Sequence, residues 1–126
     1  MRTAAASGYD DVYLCGCADP FSAKSLRAGM SAQYVLNIFE GEREKILDLL
    51  SCCQLVCADM SGENVFTADI AEKHALVLGS EGGGVSSAAR MRCEKTVSIP
   101  MKNNMESLNV AVSAGILMYL MGKNNF

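Results

Sequence analysis

The sequence predicts an α/β fold, a mostly parallel sheet flanked by helices, and three observations carry that prediction. Short apolar runs alternate with segments of helical periodicity along the whole chain. One run, residues 75–79 (ALVLG), is apolar throughout, as a strand covered on both faces must be. Gly79 and Pro100 close two of the runs, and such strand ends mark the carboxyl edge where open α/β sheets take ligands.

Residues 2–7 read as the end of a helix stopped by Gly8. Residues 11–16 (DVYLCG) read as a buried strand. Residues 22–32 (SAKSLRAGMSA) read as a helix with Ser22 as N-cap after Pro20. Residues 34–38 (YVLNI) are a second strand. Residues 41–53 are an amphipathic helix: acidic residues open it, and Ile46, Leu47, Leu49 and Leu50 form its apolar side. Residues 54–59 (QLVCAD) and 75–79 are the third and fourth strands, residues 86–93 (SSAARMRC) a short helix, and residues 96–100 (TVSIP) a fifth strand ended by Pro100.

The last helix, residues 107–122, is apolar nearly all round. Leu108, Val112, Ile116 and Leu120 mark one side, and Val110, Leu117 and Met121 another. One side packs on the sheet; the expected cover of the other is a second subunit. The chain opens inside a helix, without the strand that should feed it. The expectation is therefore one domain over residues 1–126, shortened at its N-terminus.

Composition bounds the function. A chain of 126 residues suits one domain, and its 50% hydrophobic content is enough for a core without staples. No apolar run approaches the ~20 residues of a membrane span, and the start lacks a signal peptide's apolar stretch. A soluble, cytoplasmic protein is expected. The six cysteines, Cys15, Cys17, Cys52, Cys53, Cys57 and Cys93, have the wrong spacing for zinc, with a single histidine to help. No metal is expected, and the thiols should be reduced and mostly buried. A net charge of −3 excludes a strong standalone nucleic-acid binder. RNA binding would need a local basic patch, a dimer groove or another segment.

Two segments carry chemistry. The first is LVLGSEGGGV, residues 76–85. A phosphate loop of the G-x-x-x-x-G-K-[ST] type needs a lysine that is absent, and the dinucleotide pattern G-x-G-x-x-G does not match either. Glu81 would repel a phosphate. Glycines beside an acid suit a neutral or cationic ligand lying close to backbone, or a tight turn with no ligand. The second segment is SIPMKNNMESLNVAVSAGILMY, residues 98–119, where Ser107 and Asn109 sit at a helix start able to hold an anionic group. Capping explains Ser107 well and Asn109 poorly. His74 reads as an exposed loop residue. Arg90, Arg92 and Lys95 could touch RNA or form an ordinary solvated face.

Taken together, these two segments resemble motifs two and three of the SpoU (TrmH-like) RNA 2′-O-ribose methyltransferases, of the SPOUT superfamily. The pairing of L-G-x-E-G-x-G with I-P-M and S-L-N-V is specific. RTAAASG, residues 2–8, resembles the end of the first motif, N-x-G-x-x-x-R-x-A, whose asparagine is missing, and SLRAGMSA resembles the segment that follows. The resemblance runs over essentially the whole chain. It implies a SPOUT α/β-knot with a C-terminal trefoil knot, a homodimer, and S-adenosylmethionine as methyl donor to a ribose 2′-hydroxyl of tRNA or rRNA. Gly79, Ile99 and Leu108 match cofactor-contacting positions, and Leu78, Ser80, Glu81, Gly82, Met101 and Asn109 lie in the same loops. Arg2 matches the catalytic arginine. A guanidinium is no free base, but it orients the hydroxyl and stabilises charge through a substrate phosphate. Ser107 and Asn109 match positions that place substrate phosphate and cofactor, Glu81 matches the motif-two acid that orders the site, and Arg27 is an RNA-contact candidate. Two rivals stay open: a catalytically impaired cofactor-binding, RNA-binding dimeric module of the same fold, and an unrelated α/β nucleotide-phosphate binder.

Overall fold

The computed structural model describes residues 1–122. The elements run α1 (Arg2–Ala6), β1 (Asp11–Leu14), α2 (Ala23–Gly29), β2 (Asn37–Glu40), α3 (Arg43–Leu49), β3 (Gln54–Asn64), β4 (His74–Val77), α4 (Ser87–Arg92), β5 (Lys95–Ser98) and α5 (Val110–Met121). All strand pairings are parallel. Hydrogen bonds divide the strands into two sheets rather than one: β1 pairs with β2, and β3 lies between β4 and β5.

Strand alternation explains the layers. On β3, Leu55 and Cys57 face α3 and α4, packing with Leu47, Val85 and Ala89. Val56 faces the other way and packs with Val97 of β5 and with Leu117 and Met121 of α5. A third cluster joins Ala4 of α1 to Ala32, Leu36, and Ala114 and Met118 of α5. Leu76 of β4 packs against both α5 clusters, so the helix ties the two sheets to one core. Of the two apolar sides read in the sequence, the one with Leu117 and Met121 is the side that packs on the sheet. Val112 and Tyr119 are left outward at 52% and 46% exposure, an apolar stripe on the far side of α5.

Several boundaries differ from the sequence reading. The second strand starts at Asn37 instead of Tyr34, because Met30 (φ 49°) and Ser31 (φ 61°) turn left-handed and lead into a 3₁₀ turn, Ala32–Tyr34. Tyr34 and Val35 end up on the surface, so their apolar character is not a strand signal. Buried Gln33 fixes this turn, donating from Nε2 to the carbonyls of Pro20 (3.0 Å) and Ser25 (2.9 Å). The helix of residues 41–53 is shorter, ending at Leu49 before a 3₁₀ turn, Leu50–Cys52. The third strand runs on past Asp59 to Asn64: Ala58 and Glu63 both pair with Val97, and the residues between them bulge out. There the backbone passes so close to β5 that a Cβ on Gly62 would lie 2.6 Å from the Thr96 carbonyl.

Two smaller expectations are also corrected. His74 is not a loop residue; it begins β4 and is half-buried. Its Nδ1 faces the carbonyl oxygens of Ala71 (2.8 Å) and Glu72 (3.1 Å) and so carries the proton. Nε2 then accepts from the Tyr9 hydroxyl at 2.7 Å, tying the segment before β1 to the other sheet. Burial pushes the Tyr9 phenol up to about 12, which keeps it a donor. The thiols are not mostly buried: Cys57 is, but Cys17 and Cys52 are exposed and Cys15, Cys53 and Cys93 half-buried. Short strands end before the first two cysteines, and the 3₁₀ turn after α3 lifts Cys52 to the surface. Among the described residues no helix is long and apolar enough to cross a membrane.

Candidate functional site

Because β4 and β5 both run parallel to β3, they end at the same edge, at Val77 and Ser98. Leu78 and Gly79 leave one strand there, and Ile99, Pro100 and Met101 leave its neighbour but one. The glycine segment then closes on itself. Ser80 and Gly84 exchange two backbone hydrogen bonds, N–H to O at 3.2 and 3.0 Å. A Cβ at Gly79 would fall on the carbonyl of Gly84 and the nitrogen of Val85, so no other residue fits. Gly82 (φ 88°) and Gly84 (φ 63°) supply the left-handed steps of the turn. Glu81 stands exposed at its tip.

The second segment meets this turn at one residue. Asn109 is the N-cap of α5: its Oδ1 accepts from the backbone N–H of Ala111 (2.9 Å) and Val112 (3.4 Å). Its Nδ2 donates to Glu81 Oε1 at 2.8 Å. The expected cap, Ser107, lies outside the helix and is exposed, because α5 starts three residues later than the sequence reading. An amide can cap with its oxygen and reach the acid with its nitrogen; a serine hydroxyl is too short for both. Leu78 and Leu108, 39% and 38% exposed, leave apolar surface open around the glycine turn, with Ile99 and Met101 half-buried at the same edge.

This geometry makes a sharp prediction. Asn109→Asp keeps an oxygen cap but sets a second carboxylate against Glu81. Stability should fall by about 1 kcal/mol at neutral pH, in the range of exposed charge pairs. The repulsion raises the folded-state carboxyl pKa above the ordinary ~4, so the loss should fade as pH falls through that raised value. A chemical-denaturation series at pH 7 and pH 4 checks this; equal losses at both would rule out the contact.

Arg2, the first residue of α1, is exposed and lines a cleft of about 340 Å³ with Leu14, Pro20, Ser25, Gly29 and Gln33. Glu81 and Asn109 do not line that cleft. Arg27 is exposed in the last turn of α2. The structure thus joins Glu81 to Asn109 and sets Arg2 and Arg27 around α2. The other basic candidates are engaged with acids. Arg90 pairs with Asp59, Arg92 with Asp48 at 2.8 Å, and Lys95 with Glu63 at 3.0 Å, which favours the solvated-face reading. The Arg90 guanidinium, with the Ser61 hydroxyl and amide, holds the Asp59 carboxyl well below the usual carboxylate range. This pair pins the bulge of β3 to α4; 31 residues separate the partners, and nothing in their local patterns signals it.

The sequence model of the SpoU rRNA Methylase family matches residues 1–119. The chain is 32% identical over 123 residues to the 23S rRNA (guanosine(2553)-2′-O)-methyltransferase RlmP of Bacillus subtilis, an alignment covering 94% of this chain and 50% of that protein. It therefore spans half the length of that relative. Among solved structures, it is similar to the SpoU methyltransferase AviRb of Streptomyces viridochromogenes in complex with AdoMet, with a TM-score of 0.90, 29% identity, and 98% and 53% of the two chains covered. An AdoMet-bound rRNA methyltransferase of Sinorhizobium meliloti gives 0.91 at 25% identity, covering 99% and 50%.

Proposed function

Because the chain belongs to the SpoU rRNA methylase family, we propose that it transfers a methyl group from S-adenosylmethionine to a ribose 2′-hydroxyl of tRNA or rRNA. The observation that carries this reading is the Glu81–Asn109 hydrogen bond, which locks the glycine turn to the start of α5. The residues at that edge fit the cofactor. Exposed glycine backbone at residues 82–84 admits a group with no side chain in the way, and the part-open Leu78 and Leu108 offer apolar cover for a flat ring. Gly79, Ser80, Glu81, Gly82, Ile99, Met101, Leu108 and Asn109 would hold it. That the relative RlmP is a 23S rRNA (guanosine(2553)-2′-O)-methyltransferase supports an RNA ribose as acceptor.

When bound, S-adenosylmethionine supplies a methyl group already activated on a sulfonium. The work left to the chain is alignment and charge. Ser107 and the Asn109 helix start place anionic groups. Arg2 orients the 2′-hydroxyl and, with a substrate phosphate, stabilises the charge that develops on its oxygen. Glu81 fixes Asn109 and takes no proton. A homodimer through the outward apolar stripe of α5, Val112 and Tyr119 included, is part of the same proposal. So are one methyltransferase domain over residues 1–126, the C-terminal trefoil knot and a cytoplasmic location.

The test is thermal. S-adenosylmethionine at a hundredfold over its Kd should stabilise the protein by about 2.7 kcal/mol, a rise of several degrees in Tm. No shift at millimolar cofactor, or a shift with ATP instead, would sink the cofactor assignment. A shift without labelled-methyl transfer to bulk RNA would leave the impaired binding module.

A further inference from the structure

Away from this edge, at the opposite end of β3, two adjacent cysteines stand together. Cys52 ends the 3₁₀ turn after α3 and is exposed; Cys53 is half-buried. Their sulfurs are 3.7 Å apart. The Lys73 ammonium, one residue before β4, lies 3.6 Å from the Cys52 sulfur. The backbone is held around them: the Cys53 N–H donates to Leu50 O at 2.9 Å, and the Cys52 thiol faces Leu49 O at 3.8 Å.

We propose that Cys52 and Cys53 form a dithiol site that takes one thiophilic atom between its two sulfurs, the fitting ligand class being a trivalent organoarsenical, with the Lys73 ammonium donating to the sulfur of Cys52. The separation decides between reactions. A direct disulfide needs sulfurs at about 2.05 Å, which the pinned backbone opposes. Trivalent arsenic is pyramidal: at a bond length of about 2.3 Å, as to other thiolate-bound centres, and an angle of roughly 100°, it holds two sulfurs about 3.5 Å apart, near the 3.7 Å found. Among the described residues no cluster of three His, Cys, Asp or Glu side chains could cage a metal ion. That favours a centre needing two protein sulfurs only.

The order of attack follows from the surroundings. The hydrogen bond from Cys53, then Lys73, lowers the pKa of Cys52, while burial raises that of Cys53. Cys52 attacks arsenic first and Cys53 closes the ring. In balance, R–As=O and two thiols give R–As(S)₂ and water: two As–S bonds form, the As=O bond breaks, and its oxygen leaves with both thiol protons. Nothing is oxidised or reduced. The other cysteines are poorer partners. Cys57 is buried, and burial pushes the Cys93 thiol up to about 12.

The experiment treats the full chain with phenylarsine oxide and reads intact mass and peptide maps. One equivalent should add, mapped to the Cys52–Cys53 peptide, resist glutathione and be removed by ethanedithiol. Cys52→Ser and Cys53→Ser should each abolish the glutathione-resistant adduct, and Lys73→Ala should slow its formation severalfold with unchanged stoichiometry. An adduct that survives either serine variant, maps to Cys15 and Cys17, or fails to form on the parent chain overturns the proposal. Because Lys73→Ala keeps both thiols, its slower rate separates reactivity from any folding defect in the serine variants.

Discussion

Replacing Gly79 with alanine is expected to cost about 3 kcal/mol, the upper part of the usual range for overpacking, and to lower Tm by roughly 10 °C for a chain this size. The alanine methyl would occupy the space of the Gly84 carbonyl and the Val85 nitrogen. These are backbone atoms, held by the two hydrogen bonds between Ser80 and Gly84, so no rotamer change relieves the clash. The turn must open, and Glu81 then loses its fixed position against Asn109. The stabilisation by S-adenosylmethionine should vanish with it. Gly82→Ala is the control. Its φ of 88° strains an alanine, yet a Cβ there meets nothing within 4 Å, so it should cost about 1 kcal/mol. Thermal melts of both variants with and without cofactor check the pair. If Gly79→Ala melts no lower than Gly82→Ala, close packing is not why this glycine is needed.

That glycine shows what was legible in sequence. The spacing of LVLGSEGGGV excluded a phosphate loop, and its pairing with SLNV pointed to the second segment. Among the described residues the alternation of runs marked each strand and each α-helix, though not the 3₁₀ turns, because buried strands and amphipathic helices leave local periods. What stayed hidden was set by tertiary contact. Ser107 has better local credentials as a cap than Asn109 has, and only the presence of Glu81 across the turn makes the amide the better residue. Tyr34 and Val35 look like strand residues until two left-handed residues before them turn the chain outward. The extension of β3 to Asn64 looks like a loop in sequence, since Asp59, Ser61, Gly62 and Asn64 are turn formers. It pairs because β5 lies beside it and Arg90 pins Asp59. A local pattern carries no record of a partner 30 residues away.

The same limit makes Arg2 the residue most worth testing. Arg2→Ala should reduce methyl transfer roughly 10²–10³-fold, the effect of removing one group that stabilises transition-state charge. Folding stability should change by less than about 0.5 kcal/mol, because Arg2 is an exposed residue at the start of a five-residue helix. The Tm rise with S-adenosylmethionine should be unaffected, since Arg2 lines the cleft with Ser25 and Gln33 and not the turn that would hold the cofactor. Arg2→Lys should recover little. An ammonium keeps the charge but lacks the planar fork that grips a phosphate and a hydroxyl at once. Labelled-methyl transfer measured beside thermal melts separates the outcomes. Lost transfer with normal cofactor binding assigns Arg2 to the acceptor side. Lost transfer with lost cofactor binding would mean that Arg2 props up the fold. Full transfer in Arg2→Ala would remove this residue from the reaction and return the task of charge stabilisation to the helix start at Asn109.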